Sequence, residues 1–157
     1  NTNAKAFTSC FSFSALTEVP AGLFENNTKV VQFNLCFNSC ESLTTIPDGL
    51  FAKNTKVTTF SSCFYDCTKL ILNENIFIDE TVDKGTRFKD QNVDFSKCFQ
   101  NAGSTTTSPG TAPDLWNYTI STSIGYSSLD CFKGCNMSNA NDMTDEQKVA
   151  WGTPMGQ

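Results

Sequence analysis

The feature that most restricts this chain is a unit that recurs about every 27 residues. FNLCFNSCESL runs from Phe33 to Leu43, and FSSCFYDCTKL from Phe60 to Leu70. Aligned on Cys-Phe, five copies appear at Cys10-Phe11, Cys36-Phe37, Cys63-Phe64, Cys98-Phe99 and Cys131-Phe132, spaced by 26, 27, 35 and 33 residues. Three residues before each Cys stand Phe7, Phe33, Phe60, Phe95 and then Ser128; four after it stand Ser14, Cys40, Cys67, Ala102 and Cys135. The rest of the unit repeats too, through Leu16, Leu43 and Leu70, then Val19-Pro20 and Ile46-Pro47. Leu23-Phe24, Leu50-Phe51, Ile76-Phe77 and, more loosely, Leu115-Trp116 follow, and Asn-Thr-Lys-Val occurs at 27–30 and 54–57. A unit this short cannot bury its own apolar side and must stack on the next.

The expected fold is therefore an α/β solenoid of short strands and short helical turns. It forms one repeat domain over 1–157, of about five coils that start near 7, 33, 60, 95 and 128. Phe60, Cys63, Phe64 and Cys67 lie at i, i+3, i+4 and i+7, which predicts one face of two helical turns. Leu43–Pro47 and Val57–Phe60 read as short strands, and Asp48–Asn54 as one helical turn. The expected core ladder is Cys10, Cys36, Cys63, Cys98 and Cys131 with Phe11, Phe37, Phe64, Phe99 and Phe132.

Paired cysteines in CxxxC spacing admit several chemistries. Beside phenylalanines, a thiol behaves as a small hydrophobe, and free Cys is among the most buried residue types. Disulfides are open because eight cysteines is an even number, although two inward Cys at i and i+4 on a helix have parallel side-chain vectors that a bridge would strain. Structural zinc prefers CxxC knuckles, and a dithiol redox centre needs the same motif, which is absent. No cofactor or metal is expected. The acids Asp79, Glu80, Asp83, Asp90 and Asp94 match no calcium-loop signature.

Histidine is absent and the net charge is −5 with no basic cluster. The first fact removes the commonest general base, so no enzymatic activity is expected. The second excludes nucleic acid, which needs concentrated Lys and Arg. No run of about 18 apolar residues is present to span a membrane. Beginning in mid-pattern, the chain is expected to belong to a longer one. Asn26, Asn117 and Asn136 head formal glycosylation sequons of the kind that Asn- and Thr-rich turns generate by chance.

The repeat is interrupted twice, near 78–94 and near 103–113. The first insertion predicts a hairpin over Asp83-Lys84-Gly85, and the second is flexible by composition. Free of the stacking constraint, both are expected to project and to carry contacts. Binding candidates are Arg87 and Asp90 in the first, Trp116 and Tyr118 just after the second, and Tyr126; Trp116 alternatively fills the place of Phe51 in the core. In the closing segment 136–157, Thr144 and Gln147 stand at capping-box spacing and predict a short helix ending at Trp151.

Val57 to Leu70, matched by Val30 to Leu43, resembles the leucine-rich repeats of BspA-like bacterial surface proteins. A unit of that family reads VTxMxxMFxxCxxLxxL; here Phe and Cys replace the two Met, while the following Phe, Cys and Leu are kept. The likeness covers about 7–77 and returns in fragments at 95–102 and 128–135. It implies a leucine-rich-repeat-like, right-handed solenoid and an extracellular or cell-surface, non-enzymatic adhesion module binding a host or neighbouring-cell protein or glycan. A structural spacer or fibre segment with no ligand of its own is the alternative.

Overall fold

A computed structural model describes residues 1–121 and 123–153. Equivalent positions of successive units lie one above the next, joined by backbone hydrogen bonds. The amide of Phe7 donates to Gln32 O at 2.9 Å, Phe33 to Thr59 O at 3.0 Å, Phe60 to Asp94 O at 2.8 Å and Phe95 to Ser127 O at 2.8 Å. Parallel bridges join Ala6 to Gln32, Gln32 to Thr59 and Thr59 to Asp94. Between the fourth and fifth coils two strands form, β1 (Val93–Asp94) and β2 (Tyr126–Ser127), parallel and in register Val93 to Tyr126. A second row of such contacts runs through Glu18 and Thr45, with Thr44 donating to Thr17 O and Ile71 to Thr44 O.

The FxxCFxxC segments differ from the expected helical turns. Each is a run of overlapping tight turns with a left-handed residue at its third and seventh positions. Ser9, Leu35, Ser62, Lys97 and Asp130 hold the third position, and Phe13, Ser39, Asp66, Asn101 and Gly134 the seventh, with φ between 55° and 68°. The physical reason lies in where the amides go. In an α-helix every N–H turns back to the carbonyl four residues earlier. Here the first, third, fifth and seventh amides reach the next coil: Phe33, Leu35, Phe37 and Ser39 donate to Thr59, Ser61, Cys63 and Tyr65. Only Cys36, Asn38 and Cys40 close local turns, onto Phe33, Leu35 and Phe37. The inward pattern survives, since Phe60, Cys63, Phe64 and Cys67 are all buried. Asp48–Asn54 likewise forms tight turns, with Ala52 bonded to Gly49 O and Asn54 to Phe51 O.

Burial is organised as aromatic columns. Phe11, Phe37, Phe64, Phe99 and Phe132 stack at centroid spacings of 5.2, 5.3, 5.6 and 5.5 Å with interplanar angles of 9° or less. Phe7, Phe33, Phe60 and Phe95 form a second column at 5.7 to 5.9 Å. Phe24, Phe51 and Phe77 form a third, whose rings meet the second column tilted or edge-on, as Phe51 does Phe60 at 5.0 Å. An amide ladder accompanies the third column. Asn27 Nδ2 donates to Asn1 O at 2.7 Å, and Asn54 Nδ2, fully buried, to Phe24 O and Asn27 O at 3.0 Å each.

Both insertions fold back onto the stack instead of projecting, which corrects the expectation drawn from their length. In the first, a tight antiparallel bridge joins Asp79 to Val82, in place of a hairpin over 83–85. The following turns carry Phe88 into the core, edge-on to Phe77 at 5.3 Å and to Phe95 at 4.9 Å. In the second, Gly110 pairs in parallel with Met137 and lies so close to Leu72 that a Cβ would fall 2.2 Å from its backbone.

The stack ends differently at its two faces. Thr144 caps helix α1 (Asp145–Trp151) in a capping box with Gln147. Trp151 is buried, and its carbonyl takes the amide of Phe132 that a further coil would otherwise receive. The expected closing segment thus serves as a lid as far as Thr153; residues 154–157 lie outside the described residues. At the first coil Phe13 is 79% exposed, Cys10 is exposed, and Phe7 and Phe11 are half-buried. Cys10 and Phe11 are therefore not the fully buried ladder positions that the alignment predicts, because nothing in the described chain covers their outer side.

Truncating stacked rings should be costly: Phe37→Ala, Phe64→Ala and Phe88→Ala should each lose about 3–5 kcal/mol in chemical denaturation, against under about 0.5 kcal/mol for exposed Glu41→Ala. Gly110→Ala should lose about 1–3 kcal/mol through overpacking, whereas Gly85→Ala, which meets only the Asp83 carboxylate, should be mild. Equal losses within either comparison would contradict this packing.

Candidate recognition surface

The residues flanking each column phenylalanine point outward, since a residue in extended chain alternates sides. Before it stand Ala6, Gln32, Thr59 and Asp94, and after it Thr8, Asn34, Ser61 and Ser96; at the fifth coil, where Ser128 replaces the phenylalanine, Ser127 and the exposed Leu129 take these places. Stacking sets these side chains into two adjacent polar rows. Thr8 Oγ1 donates to Asn34 Oδ1 at 2.9 Å, and the Ser61 and Ser96 hydroxyls share a hydrogen bond at 3.0 Å. Thr59 and Asp94 accept the amides two residues on, Ser61 N at 3.1 Å and Ser96 N at 2.9 Å, which fixes their rotamers. Thr8, Gln32, Asn34, Thr59, Ser61 and Asp94 line a shallow groove of about 540 Å³, with Leu35 its one large apolar side chain.

A second groove, of about 610 Å³, is lined by Glu25, Asp48, Lys53, Asp79 and Glu80. Much of its charge is already committed. Lys53 Nζ pairs with Asp79 at 2.8 Å and donates to Thr81 Oγ1 at 2.6 Å, and Asn73 Nδ2 holds Asp48 at 2.8 Å. The hydrogen bond from Lys53, with one from Thr81, keeps the Asp79 carboxyl well below the usual carboxylate range. Among the described residues, no three His, Cys, Asp or Glu side chains are grouped to hold a metal.

The aromatic candidates turn inward. Trp116 is half-buried, edge-on to Phe132 at 5.8 Å, much as Phe51 meets Phe60. Tyr118 is buried against Phe88, and Tyr126 on β2 stacks on Trp151 at 5.8 Å. Arg87, expected on an exposed loop, is 1% exposed; Asp90 alone of these candidates is exposed. The reasons differ: the first insertion supplies extra core and draws in Arg87 beside Phe88, while Trp116, Tyr118 and Tyr126, outside both insertions, pack on Phe132, Phe88 and Trp151. Of the outward polar rows, only Thr59 stood out in the sequence, through the repeated Thr44-Thr45 and Thr58-Thr59 pairs that suit protein or glycan contact; Thr8, Gln32, Asn34 and Ser61 read as ordinary surface, their only signal a fixed offset from the column phenylalanines.

No protein-family model, no curated protein and no solved structure matches the chain. Its chemistry is therefore read from its own geometry. All eight cysteines are free thiols. Burial pushes the Cys36, Cys63, Cys98 and Cys131 thiols far above their ordinary value, so none offers a thiolate at neutral pH. Cys40 and Cys67 direct their thiols to the carbonyls of Phe11 at 3.0 Å and Phe37 at 3.1 Å. Among the described residues no helix is long and apolar enough to cross a membrane.

Alkylation of the native protein at neutral pH should label Cys10 quickly and leave Cys36, Cys63, Cys98 and Cys131 unlabelled until the chain is unfolded without reductant. An intact mass lacking eight hydrogens, one per cysteine, would mean four disulfides and contradict the buried-thiol arrangement.

Proposed function

We propose that the chain is a leucine-rich-repeat-like solenoid that acts as a non-enzymatic recognition module, secreted or on a cell surface, and that its polar rows bind a glycan. The observation that supports this reading is the groove along Thr8, Gln32, Asn34, Thr59, Ser61 and Asp94. It offers hydroxyls, amides and a carboxylate at a regular coil-to-coil repeat. A chain of sugars presents hydroxyls at its own regular repeat and matches that order. A protein ligand is the weaker fit, because protein hot spots need buried aromatic or apolar anchors, and Leu35 is the one such side chain here. The resemblance of Val57–Leu70 to BspA-like repeats points to the same class of role. Catalysis is the weaker reading: there is no histidine, the Cys36, Cys63, Cys98 and Cys131 thiols are buried and protonated, Cys40, whose pKa a hydrogen bond with Cys67 lowers to about 6, is itself fully buried, and Asp79 and Asp83 are engaged by neighbouring donors.

A second reading is a spacer or fibre segment with no ligand of its own, a role that the unbroken coil-to-coil stacking of Phe37, Phe64, Phe99 and Phe132 would serve.

An immobilised glycan panel, with extracellular matrix proteins alongside, separates these readings. Binding should appear on the glycan panel and should fall by about tenfold or more in Asn34→Arg and Thr59→Arg, as expected when a hydrogen-bonding groove is filled, with thermal stability unchanged. Glycan binding that survives both substitutions would place recognition elsewhere. No binding on any panel, with concentration-dependent end-to-end association, would favour the spacer.

A further inference from the structure

The polar rows change character along the stack. Gln32, Thr59 and Asp94 are joined in parallel register from coil to coil, so an amide and a hydroxyl give way to a carboxylate at the fourth coil. Asp94 is held rigidly there. Its Oδ1 accepts the amide of Ser96 at 2.9 Å, its own amide donates to Thr58 O, and its carbonyl accepts from Phe60 N. The second carboxylate oxygen, Oδ2, has no partner among the described residues and is not enclosed by protein.

The charge of Asp94 is uncompensated. No lysine or arginine lines the groove. Among the described residues no cation pairs with Asp94, and this includes Lys97, the nearest in sequence. The second groove differs in this respect, because there Lys53 takes up Asp79 and Asn73 holds Asp48. The groups beside Asp94 are neutral and partly free. Thr59 Oγ1 accepts Ser61 N at 3.1 Å, which leaves its O–H available to donate. Asn34 Oδ1 takes the Thr8 hydroxyl at 2.9 Å, while Asn34 Nδ2 has no partner among the described residues.

A sugar laid along these rows satisfies Thr59 and Asn34 with hydroxyls alone, so those positions do not select among glycans. Asp94 does. An acidic sugar beside it meets a like charge, which is a strong discrimination against the wrong partner. A neutral hydroxyl gives it an ordinary hydrogen bond. An ammonium group gives it a charge-assisted one, roughly twice as strong.

We propose that the groove takes a glycan carrying a free amino sugar, with the protonated amine on Asp94 and neighbouring sugar oxygens on Thr59 and Asn34. This rests on the reading of the polar rows as a glycan-binding surface and names the class of glycan.

Three trisaccharides with one β-linked backbone isolate the amine. The glucosamine trimer carries it, cellotriose has a hydroxyl in its place, and the N-acetylglucosamine trimer has an uncharged amide. Calorimetric titration of the full chain, at matched ionic strength and a mildly acidic pH that protonates the amines, should favour the glucosamine trimer. Its affinity should exceed that of either other sugar by about tenfold or more, the ratio expected for one hydrogen bond to a charged group. Asp94→Asn, whose amide oxygen still accepts from Ser96, should bring the glucosamine trimer down to the level of cellotriose. Glu41→Gln, which removes an equal charge from exposed surface outside the groove, should preserve the preference. If either uncharged trimer binds the parent as tightly as the amino trimer, or if the preference survives Asp94→Asn, the proposal fails and glycan recognition stands. If none of the three sugars binds, both fail. The ligand series on the parent decides the matter even if Asp94→Asn does not fold.

Discussion

The alternate backbone amides of FxxCFxxC donate to the coil that follows, and the other features of the stack depend on this choice. It forbids an α-helix, because half of the donors that a helix would consume are spent vertically. It requires residues at φ near 55°, including Leu35, Lys97 and Phe13, which have no conformational preference for that region. A left-handed non-glycine residue costs about 1–2 kcal/mol, and a hydrogen bond contributes a net 0.5–1.5 kcal/mol or roughly that amount. The two are comparable at Leu35 and Ser39, whose own amides bond to Ser61 and Tyr65. The margin comes from what the arrangement buries: rings stacked about 5.5 Å apart along the whole molecule.

Those columns explain how irregular segments are accommodated. Spacings of 35 and 33 residues break the period, yet Phe64, Phe99 and Phe132 remain stacked without a gap. The extra chain is absorbed at the side, where Phe88 adds a ring to the core and Arg87 takes the place of a ladder asparagine. A neutral capping amide is thereby exchanged for a buried cation, and this is what separates that place from the regular coils.

Much of this was legible in the sequence, though unevenly. Phe33, Cys36, Phe37 and Cys40 recur at fixed offsets, and inward-facing positions must match their neighbours above and below, so periodicity marks the core. The local conformation was not legible: i, i+3, i+4, i+7 is the inward pattern of a helix and equally of overlapping tight turns, and Ser62 or Leu35 carries no sign of positive φ. The insertions misled for a related reason. Alternating charge and the one glycine of the segment, Gly85, suggest exposure, while Phe88 alone signalled that the segment is anchored. Arg87 was visible only as a residue type and Asp94 only as one acid among several; the burial of the first and the place of the second in the groove follow from three-dimensional register with Asn54 and Thr59.

The most direct test is to measure scalar couplings across backbone hydrogen bonds in deuterated protein. The stacked arrangement predicts couplings from Phe37 N to the Cys63 carbonyl carbon and from Phe64 N to that of Cys98, joining residues 26 and 34 apart in the chain. Couplings from Phe37 N to Phe33 and from Phe64 N to Phe60, the pattern of a helix, would contradict it.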